Sequence, residues 1–334
     1  MLIMARINYY TANESFLSKN LRRFFIVSPD DAVYRTINRI NKRLHRGLLP
    51  FPQNVHVEVT NICNLHCVMC PIDQQKREKG FMSLEVFEKI VHECRGEFSM
   101  EKMALMGLGE PFLHPEIIAM SRYAKDQGIR HVFTSTNATV INEIMSENIV
   151  LKSGFDLISF SFDGTTKETY ESIRVGASFD KVLRNILNFI NIRNKYRKEK
   201  PKINLQLLVM RETEHEVEAF VEFWNKRLGA QDIIFIRDVD TFGGQVADHR
   251  LFHQCPNIGR IPCIQLWRDL AISREGLVTV CCKDVFYKLC VGNICENTIA
   301  EIWKKEKWKA IRKLHNAGKW DEVPLCKNCN EWNQ

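Results

Sequence analysis

From residue 54 onward, short strand-like apolar runs alternate six times with stretches of helical periodicity. Such alternation is absorbed by a parallel sheet built from βα units, because each helix returns the chain to the start of the next parallel strand. The expected strands are 54–60 (NVHVEVT), 102–107 (KMALMG), 131–136 (HVFTST), 157–162 (LISFSF), 203–210 (INLQLLVM) and 232–237 (DIIFIR). Helices are expected near 83–95, 115–127, 140–153, 179–198 and 214–227, with Ser83 as a start signal and Gly128 as a stop. The fold class is therefore α/β, and 334 residues suffice for a barrel-like domain and an appendage.

After about residue 245 the pattern changes to short hairpin-like strands and cysteines. Residues 270–280 (LAISREGLVTV) predict a hairpin turning at Gly276, and Thr298 with Glu301 predicts a capping box opening a helix over 299–315. The expected organisation is a basic helical extension over 1–53, a βα domain over 54–245 and a cysteine-rich domain over 246–334. No internal repeat or low-complexity segment interrupts it.

The unusual residues fall at the carboxyl ends of the expected strands. CNLHCVMC (Cys63, Cys67, Cys70) follows the first, GLGEP (107–111) the second, TNAT (136–139) the third and SFDG (161–164) the fourth. In parallel α/β sheets, ligands bind at that rim because loops from separate strands converge there. Three thiols leave one coordination position vacant, since a closed metal site takes four ligands. A zinc knuckle with His66 as fourth ligand is the competing reading, although adjacency to Cys67 makes shared tetrahedral coordination awkward.

CNLHCVMC resembles the CxxxCxxC signature of the radical S-adenosylmethionine superfamily, and the six units resemble its partial (β/α)6 TIM-like barrel. The resemblance implies that Cys63, Cys67 and Cys70 hold a [4Fe–4S] cluster whose fourth iron chelates S-adenosylmethionine. Cleavage of that cofactor then yields a 5′-deoxyadenosyl radical, which abstracts hydrogen from carbon. Gly107, Gly109 and Glu110 match the superfamily's glycine-glycine-glutamate tract, which engages the cofactor's amino group; Leu108 departs from it. By the same resemblance Ser161 is a ribose contact, Asn137 and Arg174 lie around the nucleoside, and Met69 covers an adenine face.

Eight of the twelve cysteines lie after residue 250. Cys263, Gly276 and Cys281, followed by the Cys326-Lys-Asn-Cys329 knuckle, resemble the auxiliary-cluster region of the SPASM and twitch subfamilies. That resemblance implies a second [4Fe–4S] cluster on Cys263, Cys281, Cys326 and Cys329; a four-cysteine zinc ribbon is the alternative. Cys94, Cys255, Cys290 and Cys295 are expected to be packed thiols. Cys282, beside a ligand on an extended segment, is expected to face the opposite side, where a thiol could return a hydrogen atom to a substrate radical.

Nine Lys/Arg against three Asp/Glu in residues 1–53 account for most of the net charge of +7. Ser28 and Pro29 open an amphipathic, basic helix carrying Val33, Ile37, Ile40 and Leu44, which could dock against an anionic partner. The run 193–202 (RNKYRKEKPK) reads as a solvated helix end, so no nucleic acid is expected there. The absence of a long apolar run and the cysteine content predict a cytoplasmic protein using thiols for metals.

Together these features predict a radical enzyme that oxidises a small polar, sugar- or cyclitol-like substrate with an auxiliary cluster as electron acceptor. Arg237, Asp238 and Asp240 are candidates to hydrogen-bond it, a solvated loop being the alternative. Epimerisation of a sugar or peptide residue with Cys282 as donor is the second expectation, and peptide crosslinking a third. A flavodoxin- or ferredoxin-type protein is the expected reductant. The reading from a different class is a zinc-bearing, nucleic-acid-binding protein.

Overall fold

The structure, a computed structural model, describes residues 8–11, 49–246, 260–329 and 331–332, the first stretch by its backbone alone. β1 (Asn8–Thr11) precedes six parallel strands: β2 (Asn54–Val57), β3 (Lys102–Leu105), β4 (His131–Thr136), β5 (Leu157–Ser161), β6 (Lys202–Val209) and β7 (Ile233–Asp238). All six fall on the expected runs. Between them lie α1 (Leu84–Cys94), α2 (Ile117–Asp126), α3 (Glu143–Lys152), α4 (Lys167–Ile173), α5 (Phe179–Lys195) and α6 (Val217–Asn225). Ser83 caps α1 by accepting from Val86 N at 3.3 Å, and Gly128 adopts φ +91° just past α2.

Alternation within each strand separates two environments. Val55, Val57, Ile158, Phe160, Ile203, Leu205, Leu207 and Ile234 are completely buried and form part of the main apolar core. The opposite face is mixed, with a polar row set among Phe133, Leu157, Ile233 and Phe235. Parallel pairing aligns Ser135, Ser159 and Asn204 across β4, β5 and β6, and Ser161 with Gln206 one step nearer the carboxyl end. His56 lies in register with Ala104 on β3 and Ala271 beyond β2. A row of small and polar residues inside a barrel leaves space that an apolar row would fill.

The carboxyl-terminal segment continues this sheet. α7 (Gln265–Arg268) leads into β8 (Asp269–Ile272), which pairs parallel to β2; β9 (Leu277–Thr279) and β10 (Cys290–Asn293) follow antiparallel. The full order is β1-β7-β6-β5-β4-β3-β2-β8-β9-β10. The expected hairpin is present, with Gly276 at φ +87° in its turn. The capping box is present too, but the helix it opens is two: α8 (Ile299–Trp303) and α9 (Glu306–Asn316). On one continuous helix Trp303 and Trp308 would diverge by about 140°. The break brings their ring centroids to 4.6 Å, with the Arg312 guanidinium 4.2 Å from the Trp303 ring.

One expectation for residues 1–53 requires correction. Asn8–Thr11 is not helical but a strand antiparallel to β7, which covers that sheet edge. The basic helix expected from Ser28 onward, and any anionic partner for it, lie outside the described residues. In the 193–202 run, Arg193 is not solvated: it is buried and makes two bonds of 2.6 Å to Asp232. No helix of the described residues is long and apolar enough to cross a membrane.

Candidate active site and a second thiol cavity

The loop after β2 carries Cys63, Cys67 and Cys70, and three neighbouring segments hold it. His66 N and Val68 N donate to Val175 O (2.9 Å) and Ile173 O (3.0 Å) at the end of α4. Asn64 Nδ2 donates to Thr139 Oγ1 at 2.7 Å, beyond β4. Glu110 N donates to Ile62 O at 2.8 Å, beyond β3. Backbone contact this close explains a glycine: a Cβ on Gly109 would lie 2.5 Å from Thr60 O and 2.6 Å from Ile62 O. At Gly107 it would lie 2.5 Å from Glu58 Cγ.

Glu110 is buried, and both its oxygens are engaged. Oε1 accepts from Thr136 Oγ1 (2.7 Å) and Phe112 N (3.1 Å); Oε2 accepts from Asn137 N (2.7 Å). Burial raises its carboxyl above the ordinary range, and these donors work against the rise. Oε2 retains acceptor capacity for one more donor, such as an ammonium group. Asn137 Nδ2 in turn stands 3.1 Å from Asn64 Oδ1 and 3.9 Å from Cys63 Sγ.

Arg174 caps α4 and is also buried. Its Nε donates to Asp163 Oδ2 at 2.7 Å, its Nη2 bonds the same oxygen, and its Nη1 stands 3.7 Å from Cys67 Sγ. The structure thus draws Gly107, Gly109, Glu110, Asn137 and Arg174 around the three thiols. Ser161 belongs to a different neighbourhood, 3.5 Å from Ser135 Oγ in the polar row. Met69 is packed with Leu65, Ile173, Leu208 and Met210 in a small apolar cluster. His66 is remote from a shared ligand role: its side chain is 60% exposed and bonds Asp73 at 2.7 Å.

The three thiols suit an iron–sulfur cluster. Burial raises Cys63 and pushes Cys70 up to about 12, so bare thiolates are disfavoured there unless cationic iron compensates. N–H donors from Asn137 and Arg174 meet two of the sulfurs. Among the described residues no three His, Cys, Asp or Glu side chains converge as ligands of one ion. A cubane is compatible with that spacing, because each thiolate binds its own iron.

A second cavity is lined by Cys263, Cys281, Cys326 and Cys329 together. Cys263 enters from the segment before α7, Cys281 from the turn after β9, and the other two from α10 (Pro324–Lys327) and the residues after it. Backbone N–H groups approach two sulfurs: Lys283 N lies 3.4 Å from Cys281 Sγ and Glu331 N 3.3 Å from Cys329 Sγ. Four thiols with such donors fit a fully ligated cluster.

Cys282 does not face away from its neighbour. Cys281 and Cys282 share a turn, not an extended strand, and their sulfurs stand 3.2 and 3.9 Å from the same Gln265 Oε1. Cys94 is buried in the main core as expected, Cys290 is half-buried, Cys295 is exposed and not a packed thiol, and Cys255 lies outside the described residues. Asp240 is not on a solvated loop. It is buried and accepts from Phe242 N (2.6 Å) and from Lys283 Nζ, which also stands 3.3 Å from Glu331 Oε2.

Two connections carry no sequence signature. Glu58 is buried and receives both Arg77 Nη1 (2.7 Å) and Nη2 (2.9 Å), while Arg77 also bonds Glu275 at 2.9 Å in the β8–β9 hairpin. Leu108 N lies 3.4 Å from Glu58 Oε2, so this ion pair ties the glycine tract to the carboxyl-terminal domain. Asp163, at the end of SFDG, is the partner that orients Arg174.

Residues 57–223 match the Radical SAM superfamily, and residues 263–330 match the iron-sulfur cluster-binding domain SPASM. A tungsten-containing aldehyde ferredoxin oxidoreductase cofactor-modifying protein of Pyrococcus furiosus is 29% identical over 166 residues, 47% of this chain and 44% of that protein. A probable GTP 3′,8-cyclase of Saccharolobus islandicus is 24% identical over 184 residues, 55% of this chain and 56% of that protein. The chain thus spans about half the length of these curated relatives. In fold it is similar to BtrN in complex with AdoMet and 2-DOIA, with TM-score 0.57, 18% identity, and coverage of 83% of this chain and 92% of that one. It is also similar to Streptococcus suis SuiB bound to the precursor peptide SuiA, with TM-score 0.65, 14% identity, and coverage of 94% and 81%. The three-thiol loop in its cradle of strand ends and the four-thiol cavity beyond β8 accordingly place this chain in the radical SAM superfamily, as a member with a SPASM domain that takes S-adenosylmethionine and [4Fe–4S] clusters.

Proposed function

We propose that this radical SAM enzyme oxidises a small, hydroxyl-bearing substrate held against the polar row of the barrel. The observation that carries the reading is the in-register row Ser135, Ser159 and Asn204, with Gln206 one step nearer the carboxyl end. Hydroxyl and amide groups in such a row match the alternating donors and acceptors of a cyclitol or sugar. Asn204 Nδ2 already donates to Ser159 Oγ at 3.1 Å, while its Oδ1 is buried without a partner. The fold likeness to BtrN, solved with AdoMet and 2-DOIA, supports the same substrate class.

In this reading Cys63, Cys67 and Cys70 hold the first cluster, with Gly107, Gly109, Glu110 and Asn137 around S-adenosylmethionine and Ser161 at its ribose. Bound there, the cluster and S-adenosylmethionine would supply radical chemistry able to remove a hydrogen atom from carbon. Arg174 orients Cys67, and Glu110 accepts from the cofactor's ammonium group. An alcohol becomes a ketone by losing one hydrogen atom, one electron and one proton. His56, flanked in register by Ala104 and Ala271, has room beside it to receive the proton. Cys263, Cys281, Cys326 and Cys329 would hold a cluster suited to accept an electron. A flavodoxin- or ferredoxin-type protein is the reductant.

A second reading, epimerisation with Cys282 as hydrogen donor, is favoured by one observation: Cys282 does not line the four-thiol cavity and is within electrostatic reach of His56 on β2. The test is anaerobic incubation with dithionite, S-adenosylmethionine and a panel of aminocyclitols and sugars in deuterated buffer. Oxidation gives 5′-deoxyadenosine with a product two mass units lighter. A product carrying solvent deuterium at unchanged oxidation level, lost in Cys282→Ala, would replace the first reading with the second.

A further inference from the structure

The four-thiol cavity contains two buried N–H groups with nothing to bond. His315 lines it and is 1% exposed. Its Nδ1 accepts from Cys263 N at 3.4 Å, so the ring proton resides on Nε2, and Nε2 has no partner. Arg260 also lines the cavity, with its side chain 2% exposed. Its Nη2 donates to Cys326 O at 2.6 Å and its Nη1 to Lys327 O at 3.5 Å; its Nε is left unpaired. Two orphaned donors in one cavity are costly unless whatever fills it accepts them.

The rest of the lining narrows the occupant. Leu266, Val280, Leu325 and Trp332 offer no acceptor; Gln265 and Glu331 do, but Gln265 Oε1 already faces the Cys281 thiol and Glu331 Oε2 faces Lys283 Nζ at 3.3 Å, which leaves the thiolates and sulfides of a cluster to accept from the two donors. Charge points the same way. Arg260 is a cation on the cavity wall, Lys283 is balanced there by Asp240 and Glu331, and reduction adds an electron to a four-thiolate cluster that is already anionic. Nearby cations and N–H donors to sulfur stabilise the reduced form most, which raises the potential.

We propose that Arg260 Nε and His315 Nε2 donate hydrogen bonds to the auxiliary cluster and tune it as an electron acceptor. They are positioning and tuning residues, acting on the cluster without touching substrate. The inference rests on the reading of Cys263, Cys281, Cys326 and Cys329 as the cluster's ligands.

The test is an anaerobic redox titration of the fully loaded enzyme, followed by electron paramagnetic resonance after iron and sulfide are counted. His315→Asn keeps an acceptor for Cys263 N but has no donor at the Nε2 position; His315→Gln keeps that donor. The expected result is that His315→Asn makes reduction of the auxiliary cluster about tenfold less favourable, a fall of about 59 mV for one electron. His315→Gln stays near the wild type, and Arg260→Lys, which keeps charge but loses Nε–H, falls part of the way. Wild-type potentials in all three variants with full iron would overturn the tuning role and leave the ligand assignment standing. If Cys263→Ala retains the iron, sulfide and resonance of both clusters, the ligand assignment fails and the inference goes with it.

Discussion

A single guanidinium joins Arg174 to both Cys67 and Asp163: Nη1 stands 3.7 Å from the sulfur, and Nε donates to Asp163 Oδ2 at 2.7 Å. Asp163 is completely buried, and its other oxygen accepts from Leu208 N at 2.7 Å. The aspartate is fixed by the sheet and fixes the arginine, which then presents an N–H to the cluster loop. Burial works against the arginine's charge, and Asp163 with Cys67 more than offsets that.

Arg174→Met should therefore do two things. It leaves the Asp163 carboxylate buried without its cation, at a cost of about 3–5 kcal/mol. It also removes the donor to Cys67. The expected outcome is a lower Tm with reduced iron retention at the first cluster, checked by thermal unfolding and iron analysis. Arg174→Lys should recover little, because one ammonium cannot span Asp163 and Cys67 as a planar fork does. Full iron and unchanged Tm in the methionine variant would show that the pair is dispensable.

Glu110→Gln tests the glycine tract's acidic member. The carboxylate accepts three hydrogen bonds from Thr136, Phe112 and Asn137, which an amide cannot reproduce, since its NH2 would face a donor. Loss of the negative charge also removes the attraction to an ammonium group. Equilibrium binding of S-adenosylmethionine should weaken at least tenfold, about 1.4 kcal/mol, with cluster iron retained. Calorimetry on the loaded, unreduced enzyme measures this, and undiminished affinity excludes Glu110 as a contact.

How much of this was legible in sequence depends on range. β2 to β7 could be read because each alternates apolar and polar residues locally, and Asn137 and Arg174 stood out through their motifs. β8 joining β2 could not be read, because a pairing across 215 residues, seen in Asn54 Nδ2 to Asp269 Oδ1, leaves no local pattern. The same holds for Arg77, which sits in an ordinary charged stretch yet pairs with buried Glu58. β1 was obscured by its setting in a basic, helix-patterned arm. Cys282 was misjudged because strand alternation was applied to a turn.

Gly109→Ala and Gly107→Ala separate two kinds of close approach. At Gly109 the obstructing atoms are backbone, at 2.5–2.8 Å, and cannot move without displacing the cysteine loop. The expected cost is about 1–3 kcal/mol with loss of the first cluster, read as lower Tm and lower iron. At Gly107 the nearest atoms belong to the Glu58 side chain. Displacing that carboxylate breaks its bonds to Arg77, so Gly107→Ala should loosen the β8–β9 hairpin, seen as faster hydrogen exchange over residues 273–279. Equal iron loss in both variants, without that exchange change, would contradict the distinction.

Far from both thiol groups, Asp156 fastens the opposite end of the barrel and sets an acid limit on stability. Burial alone would raise its carboxyl, but bonds from Lys125 Nζ (2.8 Å), Lys200 Nζ (2.6 Å) and Val132 N (2.9 Å) outweigh it, and the net shift is downward. A carboxyl lower in the folded state than in the unfolded chain binds fewer protons when folded, so its contribution is present above the unfolded value near 3.8 and lost as pH falls through the folded value. Asp156→Asn removes the charge while keeping the shape. It should cost about 1–2 kcal/mol at neutral pH, where the wild-type group is ionised. The gap should close below pH 3.8 as the wild-type aspartate is itself protonated. Paired denaturant titrations at pH 7 and at progressively lower pH measure the difference, and a gap that stays constant on acidification would assign the loss to packing instead of charge.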